Sequence, residues 1–473
     1  MKKSISWIII ITMVMVVSIL NDCKAAFKDN TPPPASAPVL GTHNDITVEA
    51  AAAVLMEQTT GKILYSRNPH EIMYPASTTK ILTTLVALEN SDTQDTVTVG
   101  EEVKAVPNHS TVAGLIPGQT YSMSDLLLAL MLPSGNDAAN AIAVYIARRV
   151  KDESLDTDEA MVEFCRMMNQ RAREIGAFRS NFVNPHGYHD NNHYTTAYDL
   201  ALIAREAMNN PAFRRLVRTP HAVVEKPAVV DKAAEQSDTS DQPDEVCIHR
   251  WTNGNRLLNR TSKDYYFPYA TGIKTGFTTP AGHCLVSSAF KDGLEVISVV
   301  LKSTQEGRWV DSRKLLEYGL NDCTFHQLLK KGDILCTLNV TNHAQDEPGQ
   351  VNVIAAEDYR DIFDNEDIPK IQSTIVWNDD LLKDVGDNRE NILLSAPVFK
   401  GQKLGRIVYT LDKVLIKQID LVADRDIEAK LQPDMENTNT LPLGKHPNTV
   451  FVIGLLIICP GIFFTVRRLK ARS

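Results

Sequence analysis

At 473 residues the chain is too long for one compact core, so two domains with terminal segments are expected. Its composition, 43% hydrophobic and 23% charged, is ordinary for a soluble globular protein. The formal net charge of −9, with no basic patch outside the last few residues, excludes nucleic acid as a partner.

The first 26 residues have the layout of a secretory signal peptide. Lys2 and Lys3 precede an apolar run from Ile5 to Leu20, and the small residues Ala25 and Ala26 follow. Lipidation at Cys23 is disfavoured, because Asn21 and Asp22 stand where small residues are wanted. Residues 27–43, rich in Pro, Ala and Ser, read as a linker. Ala50 to Met56 and Lys62 to Ser66, joined across Thr59-Thr60-Gly61, predict a β-hairpin. Helical spacing then takes over in Lys80 to Glu89, Ser122 to Met131, Asp137 to Arg149, Asp158 to Ile175 and Thr196 to Met208. Ser122 with Asp125 has the spacing of a capping box, and Pro133 stops that helix. Residues 221–247 carry few large apolar groups and predict a mobile, solvated insertion. Past Lys274 the period becomes two, with Cys284 to Phe290 and Leu294 to Leu301 flanking Lys291-Asp292-Gly293, a strong hairpin signal.

Strands at both ends with helices between them predict an α+β domain over residues 44–320, in which one antiparallel sheet carries an inserted helical region. A small all-β domain is expected over 321–430, with strands at Val351 to Ala355, Ser373 to Trp377, Ala396 to Phe399, Gly405 to Leu411 and Val414 to Leu421. A polar tether (431–448), an apolar stretch (449–466) long enough to cross a bilayer, and a basic tail (467–473) close the chain. The basic flank places the tail inside and the globular part outside; Pro460-Gly461 leaves a kinked or incompletely inserted helix as the alternative. Without Cys23 and Cys459 five cysteines remain, an odd number without metal-site spacing.

Three motifs carry the chemistry: Ser77-Thr78-Thr79-Lys80, Ser134-Gly135-Asn136 and Lys274-Thr275-Gly276. Ser77 opens an amphipathic helix, and Lys80, three residues on, projects from the same face. A serine hydroxyl needs a base, and a lysine serves if desolvation or a neighbouring cation such as Lys274 keeps its amine neutral. The N–H groups of Ser77 and Phe277 can receive an oxyanion, with Gly276 leaving room for a substrate backbone. The Ser134 hydroxyl can pass protons, and the Asn136 carboxamide can hold a substrate amide or Lys80. His186, His189, Asp190 and His193 cluster without a Cys or Glu to complete a zinc set, so neither metal nor cofactor is expected.

These motifs resemble those of the low-molecular-mass penicillin-binding proteins, the serine D-Ala-D-Ala carboxypeptidases of the peptidase S11 family. Asn184-Pro185-His186-Gly187, Asp199-Leu200-Ala201 and Ala281-Gly282-His283-Cys284-Leu285 resemble its flanking sequences, and Ala396-Pro397-Val398 with Lys400-Gly401-Gln402 its C-terminal domain. The resemblance implies the penicillin-binding, β-lactamase-like transpeptidase fold and removal of the terminal D-Ala from peptidoglycan pentapeptide stems through a Ser77 acyl-enzyme. It further implies that Lys274 and Thr275 hold the substrate carboxylate and that β-lactams acylate Ser77. A β-lactamase or a transpeptidase on the same fold, or a non-catalytic cell-wall-binding protein, are the alternatives. Gly135 replaces the central Asp of the class A β-lactamase motif, and Glu206, which mimics their catalytic glutamate, falls in a helical pattern.

Overall fold

A computed structural model describes residues 46–227, 246–378 and 392–430. The expected signal peptide, the linker, the tether, the apolar stretch and the basic tail lie outside these residues. Among the described residues no helix is long and apolar enough to cross a membrane.

The chain opens with a hairpin, β1 (Ala52–Glu57) and β2 (Ile63–Arg67). Helix α1 (Lys80–Asn90) follows, entered through a single 3-10 turn, Ala76–Thr79. The short strands β3 (Thr96–Thr98) and β4 (Thr120–Ser122) pair with each other and lead to α2 (Met123–Met131). Ser122 and Asp125 form both hydrogen bonds of the expected capping box, worth about 1 kcal/mol to the helix start. Helices α3 (Asn136–Val150), α4 (Thr157–Ile175), α5 (Ala197–Asn209) and α6 (Pro211–Arg218) complete the insert. The α4 end is closed by Gly176 at φ 95°, a value that glycine adopts without strain.

The segment 221–247, expected to be a solvated insertion, is instead framed by paired strands. Strand β5 (His221–Pro227) runs antiparallel to β6 (Val246–Thr252), while 228–245 lies outside the described residues. Alternation explains the ribbon: Val224, His249 and Trp251 turn inward, whereas Val223, Ile248 and Arg250 face solvent.

Three long strands close the domain, β7 (Ala270–Thr278), β8 (Gly282–Lys291) and β9 (Leu294–Ser303). The Asp292-Gly293 turn between the last two takes φ values of 50° and 87°, the left-handed pair that a tight hairpin requires. With β1 and β2 the three long strands form one five-stranded antiparallel sheet in the order β2-β1-β9-β8-β7, so β7 stands at an edge. One sheet face, with Cys284 and Val286, packs on the helical insert. The other, with Leu285, packs on α7 (Gly307–Asn321) around Trp309.

A second, all-β unit follows. Strand β10 (Cys323–Leu329) skips β11 (Ile334–Thr341) and β12 (Gln350–Ala355) to pair with β13 (Tyr359–Asp364). A six-stranded sheet then has the order β14 (Ile371–Trp377), β16 (Lys403–Leu411), β17 (Val414–Ala423), β12, β11 and β15 (Leu393–Ser395). The strand expected at Ala396 to Phe399 is displaced: β15 ends at Ser395, because Pro397 has no N–H for a ladder, and only Val398 makes a bridge, to Ile427. The unit meets the first domain just before β2, where the Lys62 ammonium donates to Asp361 Oδ2 at 2.9 Å and lies 3.7 Å from the Phe363 ring centre.

Candidate active site

Ser77, half-buried, stands in the 3-10 turn rather than in α1 itself, and Lys80 is the first α-helical residue. The turn keeps both on one side, with Lys80 Nζ 3.2 Å from Ser77 Oγ. Two further acceptors hold the same ammonium, Asn136 Oδ1 at 2.7 Å and the His186 carbonyl at 2.8 Å. Lys80 is completely buried. Desolvation, reinforced by the positive charge of Lys274 and opposed by Asp137, pushes its pKa well below the usual 10.5.

Lys274 reaches the site from β7 and is itself buried, with Nζ donating to the Thr275 carbonyl at 3.1 Å. Desolvation and then the charge of Arg308 lower its pKa to about 7. Gly276, two residues past Lys274 on the strand, lies against the Ser77 backbone. A Cβ there would fall 3.0 Å from the Pro75 carbonyl oxygen and 3.1 Å from Ser77 N, so only glycine lets β7 approach the Ser77 amide this closely. Phe277, two residues past Thr275 on the same strand face, is 54% exposed.

Ser134 is half-buried in the turn between α2 and α3, at φ 69°, and Ala76, just before Ser77, has φ 50°. Both are non-glycine residues in the left-handed region, and such strain concentrates at functional sites. The turn is held from below by the buried Asp137, whose carboxylate accepts the Ala113, Gly114 and Leu115 N–H groups at 2.8–3.0 Å. Asn136 N donates to the Thr111 carbonyl, and the Trp251 indole N–H to that of Ala113. Loop 111–115 is thus clamped between the serine turn and the β5–β6 ribbon.

The histidines are structural supports. Val183 N–H donates to His193 Nδ1, so Nε2 carries the proton and donates to Thr79 Oγ1, which passes its own to the Ala76 carbonyl. Tyr188 N–H donates to His186 Nδ1. Burial holds both rings neutral, His186 near 3 and His193 near 4. Glu206 lies on the exposed side of α5 in an ion pair with Arg171.

Four contributors escaped sequence reasoning: the His186 carbonyl, Asp137, Gly187 and Arg308. Gly187 takes φ 84°, and a Cβ there would stand 1.8 Å from the Ala76 carbonyl oxygen, which fixes the loop against the turn that holds Ser77. Its signal was the Asn184-Pro185-His186-Gly187 run. Arg308 stacks over Trp309 at 4.6 Å, and its Nε is buried without a partner among the described residues. Its charge acts on Lys274, so two basic side chains stand together there, a setting suited to a carboxylate.

Fold and site together have the architecture of a serine acyl-transfer enzyme, with a buried lysine beside the serine. The D-alanyl-D-alanine carboxypeptidase family profile (peptidase S11) matches residues 39–305, and the C-terminal domain profile of penicillin-binding protein 5 matches 325–429. The chain is 28% identical over 391 residues to D-alanyl-D-alanine carboxypeptidase DacF of Bacillus subtilis, covering 81% of this chain and 87% of that one. It is 30% identical over 389 residues to DacA of Haemophilus influenzae, covering 80% and 86%. The crystal structure of DacD from Francisella tularensis superposes with a TM-score of 0.63 at 28% identity, covering 81% of this chain and 95% of that one. The chain belongs to the D-alanyl-D-alanine carboxypeptidase family.

Proposed function

We propose that Ser77 is the nucleophile with which this D-alanyl-D-alanine carboxypeptidase removes the terminal D-Ala from peptidoglycan pentapeptide stems. The carrying observation is the fully buried Lys80 ammonium, 3.2 Å from Ser77 Oγ, with its pKa driven down by desolvation. Neutral Lys80 takes the Ser77 proton, and Oγ attacks the penultimate D-Ala carbonyl. The oxyanion settles against the Ser77 and Phe277 N–H groups, each worth about a hundredfold in rate or more. Ser134 relays the proton to the departing amine, Asn136 orients the stem amide and Lys80, and water then cleaves the ester by the reverse route. Lys274, Thr275 and Arg308 receive the terminal carboxylate. A substrate held there lies along the open edge of β7 as an added antiparallel strand, with Gly276 making room for the reacting carbonyl.

β-Lactams place a strained amide in the same position and acylate Ser77. Solved relatives from Streptomyces K15 are named DD-transpeptidases and superpose with a TM-score of 0.51 at 31% identity, so an amine in place of water is the second reading. Residues 1–26 direct export, and residues 449–466 anchor the catalytic unit on the outer side of the cell membrane. Release of D-Ala from a pentapeptide tests the proposal. Wild type releases it and Ser77→Ala does not; equal release by both would refute the assignment.

A further inference from the structure

One peptide group joins the nucleophile turn to the histidine loop. The Ala76 carbonyl and the Ser77 N–H belong to the same planar trans unit, so they point in opposite directions and whatever fixes one fixes the other. Ser77 N lies toward β7, 3.1 Å from where a Gly276 Cβ would stand, and in the proposed mechanism its N–H receives the oxyanion. The carbonyl faces the buried side, where Thr79 Oγ1 donates to it at 2.8 Å.

That hydroxyl is fixed in turn. His193 Nε2 donates to Thr79 Oγ1 at 2.8 Å, and Val183 N–H, 3.1 Å from His193 Nδ1, sets the tautomer. The Thr79 proton is therefore left for Ala76. Both side chains are buried, and Gly187 closes the remaining side, since a Cβ there would stand 1.8 Å from the Ala76 oxygen and 2.8 Å from Thr79 Oγ1. The bonds thus run head to tail from Val183 through His193 and Thr79 to the Ala76–Ser77 amide, shut off from water. Hydrogen bonds in such a chain polarise one another, and an amide whose carbonyl accepts a bond donates more strongly through its N–H. Ala76 also needs holding, because its φ of 50° is a left-handed value that a non-glycine residue adopts only under constraint.

We propose that Thr79 and His193 are positioning residues for the oxyanion hole: the chain they form aims and polarises the Ser77 N–H, and so raises the rate of acyl transfer without touching the substrate. This rests on the acyl-enzyme reading above and adds to it two side chains that no step of that mechanism uses. The oxyanion forms only on the way through the reaction, so a weaker donor lowers kcat and leaves KM in place.

The test reads D-Ala release together with the penicilloyl adduct. Thr79→Val keeps the side-chain shape and removes the hydroxyl; kcat falls by about tenfold, part of the roughly hundredfold or more that a whole oxyanion donor carries, and KM stays within about twofold. The ester carbonyl of the adduct on Ser77 occupies the same hole, so its infrared stretching band moves to higher frequency as the hydrogen bond weakens. Thr79→Ser, which returns the hydroxyl, restores both readings. His193→Gln still offers an N–H to Thr79 and behaves as wild type, whereas His193→Leu changes kcat and the carbonyl band in the direction of Thr79→Val. The extent of penicillin labelling reports that each variant is folded, and the His193 pair carries the comparison should Thr79→Val fail to label. An unchanged kcat in the variants that lose the chain, or a lower kcat with the carbonyl band unmoved, overturns the proposal. A wild type that neither releases D-Ala nor forms an adduct instead sinks the carboxypeptidase reading itself.

Discussion

Lys80 and Lys274 are two ammonium groups placed where water cannot reach them, and the fold is less stable for it. The folded pKa of Lys274, about 7, lies below the unfolded value of 10.5, so the unfolded chain binds more protons between these limits. Its penalty is therefore complete below pH 7 and fades as pH rises toward 10.5. Lys274→Met is expected to stabilise the protein by about 1–4 kcal/mol at pH 7. The gain shrinks as the pH approaches 10, and KM for the pentapeptide rises sharply; thermal unfolding at the two pH values and steady-state kinetics check both. In the proposed mechanism Lys80 acts as the neutral amine, so the Ser77 acylation rate should climb with pH as Lys80 loses its proton. Lys80→Arg, which cannot deprotonate, removes that climb together with at least a hundredfold of rate. Stopped-flow penicillin acylation across pH reads both effects.

The elements around these residues exist to hold a few backbone contacts. Gly187→Ala drives a methyl into the Ala76 carbonyl at a left-handed φ, and should cost about 2 kcal/mol or more while displacing the nucleophile turn. Chemical denaturation and penicillin labelling measure the two consequences. Sequence patterns made most local elements legible: the Ser122–Asp125 box, the Asp292-Gly293 hairpin and the helices of the insert up to α5 all have signals within a few residues, whereas the short α6 was not read. What they concealed was long-range. The β5–β6 ribbon carries few large apolar residues because only its inward side packs, and its partner strands are separated by 18 residues outside the described structure. Arg308 matches no motif; its meaning comes from lying near Lys274, over thirty positions earlier, once α7 packs on the sheet. The Ser77–Lys80 pairing was readable from spacing alone, whereas the Asn136 and His186 acceptors on Lys80 needed the fold to bring them in.

At the scale of the whole molecule, a catalytic α+β unit and an all-β unit meet at Lys62, half-buried against Asp361 and Phe363. Losing an ammonium there leaves a carboxylate short of its partner, so Lys62→Ala should separate the two unfolding transitions in calorimetry while penicillin labelling at 25 °C persists. Removal of residues 449–473 should move the enzyme from the membrane to the soluble fraction with its acylation rate unchanged, as fractionation followed by labelling would reveal. Everything at this scale serves one covalent event at one side chain. Mass spectrometry of the penicillin-treated protein after trypsin digestion tests it most directly: a single penicilloyl adduct is expected on the peptide spanning residues 68–80, at Ser77. An adduct on any other peptide, or an unmodified protein after prolonged exposure, would contradict the account.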